Sequence, residues 1–157
     1  MLSTDVSART PFVGALMRAG WQWVREQVAD GIRAAGYDDL SPAHIALFRY
    51  PTLDGLRPIE IAERMQITKQ SVHDLLVHME QRGYLVREPD PNDGRARVVR
   101  LTESGRRLEL DVRAQARRAE AKIAATLGEP RFTQLRDALR ELVAQLDAER
   151  ARPHSAP

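Results

Sequence analysis

Residues 56–105 have the sequence LRPIEIAERMQITKQSVHDLLVHMEQRGYLVREPDPNDGRARVVRLTESG, and the fold of the chain depends on this stretch. Its first half predicts two short helices. Pro58 suits the first position of a helix, where its missing N–H costs nothing, and Thr68 suits an N-cap because its hydroxyl can accept a backbone hydrogen bond. Gly83 is typical of the residue that follows a helix. We therefore expect a helix, a turn near Gln66 and a second helix, which is the order of a helix-turn-helix motif.

The second of these helices has an apolar face and a polar face. Four apolar residues recur at the spacing of a buried helical stripe: Val72, Leu75, Leu76 and Met79. Packing this stripe inward leaves polar residues outward near the helix start, where recognition helices place their base-reading side chains in the major groove. The candidate DNA-binding residues of this helix are Thr68, Lys69, Gln70, Ser71, His73, Asp74 and His78. Surface polarity is the competing interpretation of the two histidines, and we favour a DNA contact for His73.

A β-hairpin is expected next. Residues 84–88 and 96–101 are short runs with high β propensity, and residues 89–95 between them are rich in turn formers. Arg95 is expected at the hairpin tip with Arg97 behind it, because a narrow minor groove concentrates negative potential and attracts arginine. Asp93 is close enough to orient Arg95 through a charge-assisted hydrogen bond. The pattern predicts a wing that contacts the minor groove.

Composition supports a nucleic-acid partner only through the distribution of charge. The chain has 157 residues and a net charge of +2, so its bulk charge gives little reason to expect nucleic acid. From Gly94 to Arg107, however, five arginines stand against a single acidic residue, Glu103. A solvated surface is the other interpretation of such a run, and the neighbouring helix pair favours DNA.

Several motifs together resemble the MarR (multiple antibiotic resistance regulator) family. The most specific is DPNDGRARVVRLTESG at residues 90–105, and the segments LSP (40–42), EIAER (60–64) and TKQSV (68–72) agree with it. The resemblance implies a homodimeric repressor that binds a short inverted repeat of double-stranded DNA and is released by a small aromatic or phenolic ligand. His73, Asp74 and Gly94 differ from the residues common in relatives, so the relatives' base preference does not carry over.

The expected fold is mainly α, a winged helix-turn-helix of about six helices with a two- to three-stranded β wing. The last helix carries Leu135, Leu139, Leu142 and Leu146 at steps of three and four residues, a period typical of helices packed side by side. An internal bundle would use this stripe equally well, and the resemblance favours a homodimer. The expected regions are an N-terminal dimerisation helix (1–36), a DNA-binding lobe (37–101, wing 84–101), C-terminal dimerisation helices (102–149) and a disordered tail (150–157).

Several classes of function are disfavoured. The chain has no cysteine, which excludes disulfides and thiol-based sensing. No apolar run approaches the roughly 20 residues of a membrane span and no signal-peptide pattern is present, so we expect a cytoplasmic protein without a membrane partner. No nucleophile motif or phosphate-binding glycine loop suggests an enzyme. No metal or other cofactor is expected, because the histidines lack the spacing of a helical zinc site: His44, His73, His78 and His154.

The sequence also offers residues for a small-molecule site. Trp21 with Arg25 one helical turn later offers an aromatic face and a cation, which suit an aromatic carboxylate or phenolate. The resemblance places His44 and Phe48 at one wall of a ligand pocket. Core packing is the competing interpretation of these side chains. Two alternatives stay open for the whole chain: a winged-helix module that binds a protein, and a DNA-binding regulator without a ligand.

Overall fold

The structure is a computed structural model, and it describes residues 11–48 and 52–151. Within these ranges it contains six helices and two strands: α1 (Val13–Ala34), α2 (Pro42–Ala46), α3 (Pro58–Met65), α4 (Lys69–Gln81), β1 (Leu85–Asp90), β2 (Asp93–Leu101), α5 (Glu103–Leu127) and α6 (Glu129–Ala151). The mainly α winged helix-turn-helix expected from the sequence is confirmed. His154 and most of the expected tail lie outside the described residues.

The helix boundaries follow the signals in the sequence. The Ser41 hydroxyl accepts the amide of His44, and the Thr68 hydroxyl accepts the amide of Ser71 at 3.1 Å, so both residues cap their helices as expected. Gln66 adopts the left-handed conformation (φ 54°) after α3, and Gly83 does so (φ 74°) after α4. These two conformations turn the chain sharply at both ends of α4.

The chain forms two compact units, residues up to 117 and residues from 118 onward. The core of the first unit joins the C-terminal half of α1, the buried face of α4, the hairpin and the first turns of α5. Its fully buried side chains are Phe48, Ile32, Leu53, Leu76, Met79, Leu85, Leu108, Val72 and Val99. The apolar stripe on α4 therefore packs inward as expected, although Leu75 is only partly buried.

The hairpin differs from its expected form. The strands continue to Asp90 and restart at Asp93, so the turn consists of Pro91 and Asn92 and is shorter than the expected loop. Pro89 pairs with Arg97, and Asp90 pairs with Asp93. Residues 94–96 of β2 have no register partner in β1 and form a bulge, which re-aims side chains and increases the local twist.

The base of the hairpin is attached to the rest of the first unit on two sides. Val99 exchanges backbone hydrogen bonds with Gly55 and Leu56 at 2.7 and 2.8 Å, which adds the pairing of a short third strand. At the start of α5, the Thr102 hydroxyl accepts the amide of Gly105 and donates to the carbonyl of Gly83. A Cβ at residue 105 would overlap the carbonyl oxygen of Tyr84, so the close approach of α5 to the end of α4 requires glycine.

The second unit contains the end of α5 and α6. Gly128, with φ 80°, separates the two helices. The expected leucine row of α6 is exposed: Leu135, Leu139, Leu142 and Leu146 are each 37–43% accessible. No helix in the described ranges is long and apolar enough to cross a membrane.

Candidate nucleic-acid interface

The N-terminal half of α4 presents a polar surface. Its candidate base-reading side chains are all exposed: Thr68, Lys69, Gln70, Ser71, His73 and Asp74. The Gln70 side-chain amide donates to Asp74 at 2.9 Å, which fixes the orientation of both groups. Within the described part of the chain, Lys69 and His73 make no polar contact. The helix start therefore offers an ordered amide–carboxylate pair beside two unengaged donors, at the end where the helix dipole is positive.

His78 lies elsewhere. Its Nε2 is 3.0 Å from the carbonyl oxygen of Asp39, and its ring stacks on His44 with centroids 4.2 Å apart. The sequence assignment of His78 as a DNA contact is therefore not supported, because its polar edge is occupied by the loop before α2. The five-residue step from His73 to His78 already placed the two histidines on different faces of the helix.

The wing presents Arg95 from the bulge and not from the turn. Arg95 is exposed, and its guanidinium has no partner within the described residues. The sequence suggests that Asp93 orients the Arg95 guanidinium. In the structure Asp93 instead accepts the backbone amide of Arg95 at 3.2 Å, so it orients the backbone at this point. The Arg97 guanidinium donates to the carbonyl of Arg87 at 3.0 Å, across the hairpin. Of the two candidate arginines, Arg95 is the one whose charged group is unengaged.

An ion pair between the wing and the start of α3 was missed from the sequence. Asp90 is 7% exposed, and its carboxylate accepts Arg57 Nε at 2.6 Å and the amide of Asn92 at 2.8 Å. The amide of Asn92 and the guanidinium of Arg57 hold the pKa of Asp90 below its usual range. The Asp-x-Asn spacing is a signal for such a turn. The partner Arg57 is 33 residues away, and no local pattern indicates it.

A cavity of about 330 Å³ lies between α1, α2 and α5 in the first unit. Trp21, Arg25 and Phe48 line it as expected, and His44 does not, because that ring is stacked on His78. The rest of the lining is largely apolar, with two further arginines: Val24, Val28, Ala29, Pro42, Ile45, Ala46, Val112, Arg113, Ala116 and Arg117. Arg113 pairs with Glu109 at 3.1 Å. In the described residues, Arg25 and Arg117 have no acidic partner.

No group of three or more histidine, cysteine or acidic side chains in the described ranges is arranged to hold a metal ion. The stacked pair His44 and His78 is a tertiary contact that the spacing of the histidines did not indicate. Its near-parallel rings, 21° apart, pack face to face. Burial and the neighbouring His78 lower the pKa of His44, which favours its neutral form.

Comparison with known proteins agrees with this geometry. The MarR family model matches residues 38–96. The HTH-type transcriptional repressor Rv2887 of Mycobacterium tuberculosis is 28% identical over 101 residues, which cover 64% of this chain and 73% of the repressor. The crystal structure of Rv2887 with salicylic acid is 26% identical and has a TM-score of 0.65, covering 87% of this chain and 98% of that one.

A third comparison extends the similarity of fold. CouR from Rhodococcus jostii RHA1, bound to p-coumaroyl-CoA, has a TM-score of 0.67 at 24% identity and covers 89% of this chain and 95% of its own. The curated relatives of this chain are named HTH-type transcriptional repressors. The helix pair, the wing and these similarities together show that residues 38–96 are similar to the MarR family, and that the chain has the fold of DNA-binding winged helix-turn-helix transcription regulators.

Proposed function

We propose that the protein is a dimeric repressor that reads a short inverted repeat with α4 and its wing, and that a small aromatic anion releases it from DNA. The observation that carries the proposal is the arrangement of unengaged donors on two adjacent elements. Lys69 and His73 lie on the exposed face of α4, and Arg95 lies in the bulge of β2. A groove-reading helix beside a minor-groove arginine is the arrangement that winged helices use on duplex DNA.

The groups on α4 have distinct roles in the proposal. Gln70 and Asp74 form a hydrogen-bonded pair that leaves one Gln70 donor and the remaining carboxylate oxygen for base edges. Asp74 would accept from a cytosine amino group, and Lys69 and His73 would donate to guanine or to phosphates. The Thr68 and Ser71 hydroxyls are 2.8 Å apart at the positive end of the helix, where they suit a phosphate contact.

Dimerisation rests on two exposed apolar rows. The first turns of α1 expose Val13, Leu16, Met17 and Trp21, with Phe12 before them at 91% accessibility. The leucine row of α6 is exposed as well. Isolated apolar side chains on a surface need no explanation, but continuous rows on two long helices are costly in water. We propose that residues 1–36 and 102–149 form the dimerisation platform and residues 37–101 the DNA-binding lobe. In this arrangement two α4 helices read half-sites about one turn of DNA apart.

The DNA contact is tested by selection from random duplex DNA, followed by titration of the recovered site. We expect an inverted repeat, and we expect Arg95→Ala to weaken binding about tenfold. Arg140→Ala removes the same charge from the exposed surface of α6, where Arg140 pairs with Asp137 at 3.7 Å, and serves as the matched control. No enrichment at low salt would contradict the proposal and favour the protein-binding module.

The salt dependence of binding gives a second measure of the interface. Each phosphate contact that is formed releases counterions, so the logarithm of the binding constant should fall linearly with the logarithm of salt concentration, with a slope of about −0.9 per contact. Lys69→Gln should reduce this slope by about one contact if Lys69 binds a phosphate. An unchanged slope with altered base preference would assign Lys69 to base recognition.

The cavity supports the ligand in the proposal. Its apolar lining suits an aromatic ring, and Arg25 and Arg117 supply positive charge without a salt bridge to an acidic side chain in the described chain. A carboxylate is the group that such arginines pair with best. The Rv2887 structure contains salicylic acid. Because α1, α2 and α5 all line the cavity, a ligand there would change the packing of helices on which the lobe rests.

The ligand is tested with two probes that differ in one group. Salicylate should raise the temperature of unfolding and weaken DNA binding, whereas salicyl alcohol, which lacks the carboxylate, should do so less. Arg25→Gln should reduce the difference between the two probes, because the lost guanidinium distinguishes them. If no aromatic acid changes either property, the protein is a regulator without a ligand of this class.

A further inference from the structure

We infer that Arg57 is a positioning residue for DNA binding: through Asp90 it fixes the turn of the wing to the start of α3 and thereby sets where Arg95 enters the minor groove. The inference rests on the wing contact proposed above. It concerns a side chain that is 37% exposed and belongs to neither α4 nor the hairpin. Its effect on DNA would be indirect.

The contact between Arg57 and Asp90 is short and buried. Arg57 Nε and Nη2 both lie 2.6 Å from Asp90 Oδ2, and the other carboxylate oxygen accepts the amide of Asn92. The backbone amide of Arg57 donates to the Glu60 carboxylate at 2.7 Å, which fixes Arg57 at the first turn of α3. One carboxylate thus joins the two-residue turn of the wing to the helix-turn-helix.

A second path leads from Arg57 to Arg95. Arg57 Nη2 lies 3.8 Å from Asp93 Oδ2, and Asp93 Oδ1 accepts the amide of Arg95. Arg57 is also the residue after Leu56, whose carbonyl accepts the amide of Val99. The wing is therefore attached near its base through the backbone and near its turn through the Arg57 side chain.

Because of the bulge, the position of Arg95 depends on the attachment of the wing through the Arg57 side chain. Residues 94–96 lack a register partner in β1, so the ladder does not fix the position of Arg95. A two-stranded hairpin is also marginal without other support. Removing Arg57 would leave the Asp90 carboxylate without its cation, and the turn of the wing would lose its attachment to the start of α3. It would also expose two carboxylates, Asp90 and Asp93, without a counter-charge beside the DNA backbone, which repels them.

The test uses the full chain and the DNA site recovered by selection. Hydroxyl-radical footprinting at saturating protein separates the flanking minor grooves, which the wings protect, from the central half-sites. We expect Arg57→Gln and Asp90→Asn to lose the flanking protection while they keep the central protection, as Arg95→Ala does. Each change should weaken binding about tenfold, and Arg57→Gln combined with Arg95→Ala should cost about the same as either alone. Arg57→Lys should retain part of the affinity, because it keeps the charge and loses the two-donor fork.

Controls separate positioning from loss of fold. Glu80→Gln breaks the pair in which Arg87 Nη2 lies 2.6 Å from Glu80, at the other end of β1, and its cost should add to that of Arg95→Ala. Unfolding temperatures are measured for each variant, and Asp90→Asn, which keeps the side-chain shape, replaces Arg57→Gln if that variant does not fold. Intact flanking protection in both variants, or an additive double variant, would overturn the inference while Arg95→Ala still tests the wing contact. Intact flanking protection in Arg95→Ala as well would overturn both the role of Arg57 and the proposed wing contact.

Discussion

The DNA-binding lobe and the terminal helices bury their apolar side chains to very different extents. In the lobe, α4 and β2 bury apolar side chains at Val72, Leu76, Met79, Val98, Val99 and Leu101, and Asp90 has its charge partner within the same chain. Along α6 and the first turns of α1, leucines, tryptophans, two valines and a methionine remain exposed. A single chain therefore buries the apolar side chains of the first region, whereas in the proposed dimer a further apolar surface would cover those of the second.

The largest effect on dimerisation and DNA binding is expected from a substitution in the exposed leucine row of α6. Leu142→Arg places a charge in the leucine row of α6, and it should convert the dimer to a monomer and weaken operator binding by about 1,000-fold, because one half-site gives little specific affinity. Light scattering and DNA titration measure the two effects. Ala144→Arg, which lies on the opposite face of α6 by helical spacing, should leave both unchanged. A dimeric Leu142→Arg protein would contradict the proposed platform.

A core substitution in the lobe should act in a different way. Leu76 is completely buried in α4, and Leu76→Ala should lower the free energy of unfolding by about 3 kcal/mol through lost contacts and a cavity. Denaturant unfolding at several protein concentrations distinguishes the two regions. The loss from Leu76→Ala should be independent of concentration, whereas the effect of Leu142→Arg should not. A concentration-dependent loss at Leu76 would mean that the lobe is also completed by the dimer.

A smaller effect is expected at a hydrogen bond within the first unit. The Tyr37 hydroxyl donates to Asp111 at 2.7 Å, and burial together with this carboxylate raises the pKa of Tyr37 to about 12. Tyr37→Phe should therefore cost about 1 kcal/mol. Since the folded pKa is raised, this stabilisation is fully present below the unfolded pKa of about 10 and is lost as the pH rises through about 12.

Absorbance titration of the phenols and unfolding of the variants check this prediction. Tyr84→Phe is the matched control, since its hydroxyl lies 3.5 Å from Asp39 and should contribute less. Equal losses of stability in Tyr37→Phe and Tyr84→Phe would show that the hydrogen bond to Asp111 contributes no more than the one to Asp39.

The smallest effect concerns the histidine pair. His44 Nδ1 accepts the amide of Ser41 at 3.1 Å, and this requires an unprotonated nitrogen. Burial and His78 lower the pKa of His44, so stability is complete above the unfolded pKa of about 6.5 and falls as the pH decreases toward the folded value. Asp39 opposes this shift in part.

His44→Gln isolates the titration, because glutamine can also accept at the third position of a capping box. Its thermal stability should change less between pH 7.5 and 5.5 than that of the native chain. Identical pH profiles would assign the acid sensitivity to other groups.

The candidate site was predictable from the sequence where its signals are local. Thr68, Gly83 and the apolar stripe of α4 defined the recognition helix, since caps and helical spacing depend on neighbouring residues. The same reasoning assigned His78 to DNA, and it left His44 open between a ligand contact and core packing. Each is polar and half-buried, and only the packing of α2 on α4 stacks their rings. The bulge at Arg95 was also missed, because a run of turn-forming residues does not show at which residue the pairing of the two strands ends.

What the sequence determined by itself was the order of helices and strands and the buried face of α4, because these follow from helix caps, turn-forming residues and the spacing of apolar residues. Tertiary structure alone decided that Arg57 meets Asp90 across 33 residues, that His78 stacks on His44 and that the cavity lies between α1, α2 and α5. The physical reason is that a buried ion pair, a ring stack or a cavity depends on the distance between side chains remote in sequence, and no local pattern encodes that distance.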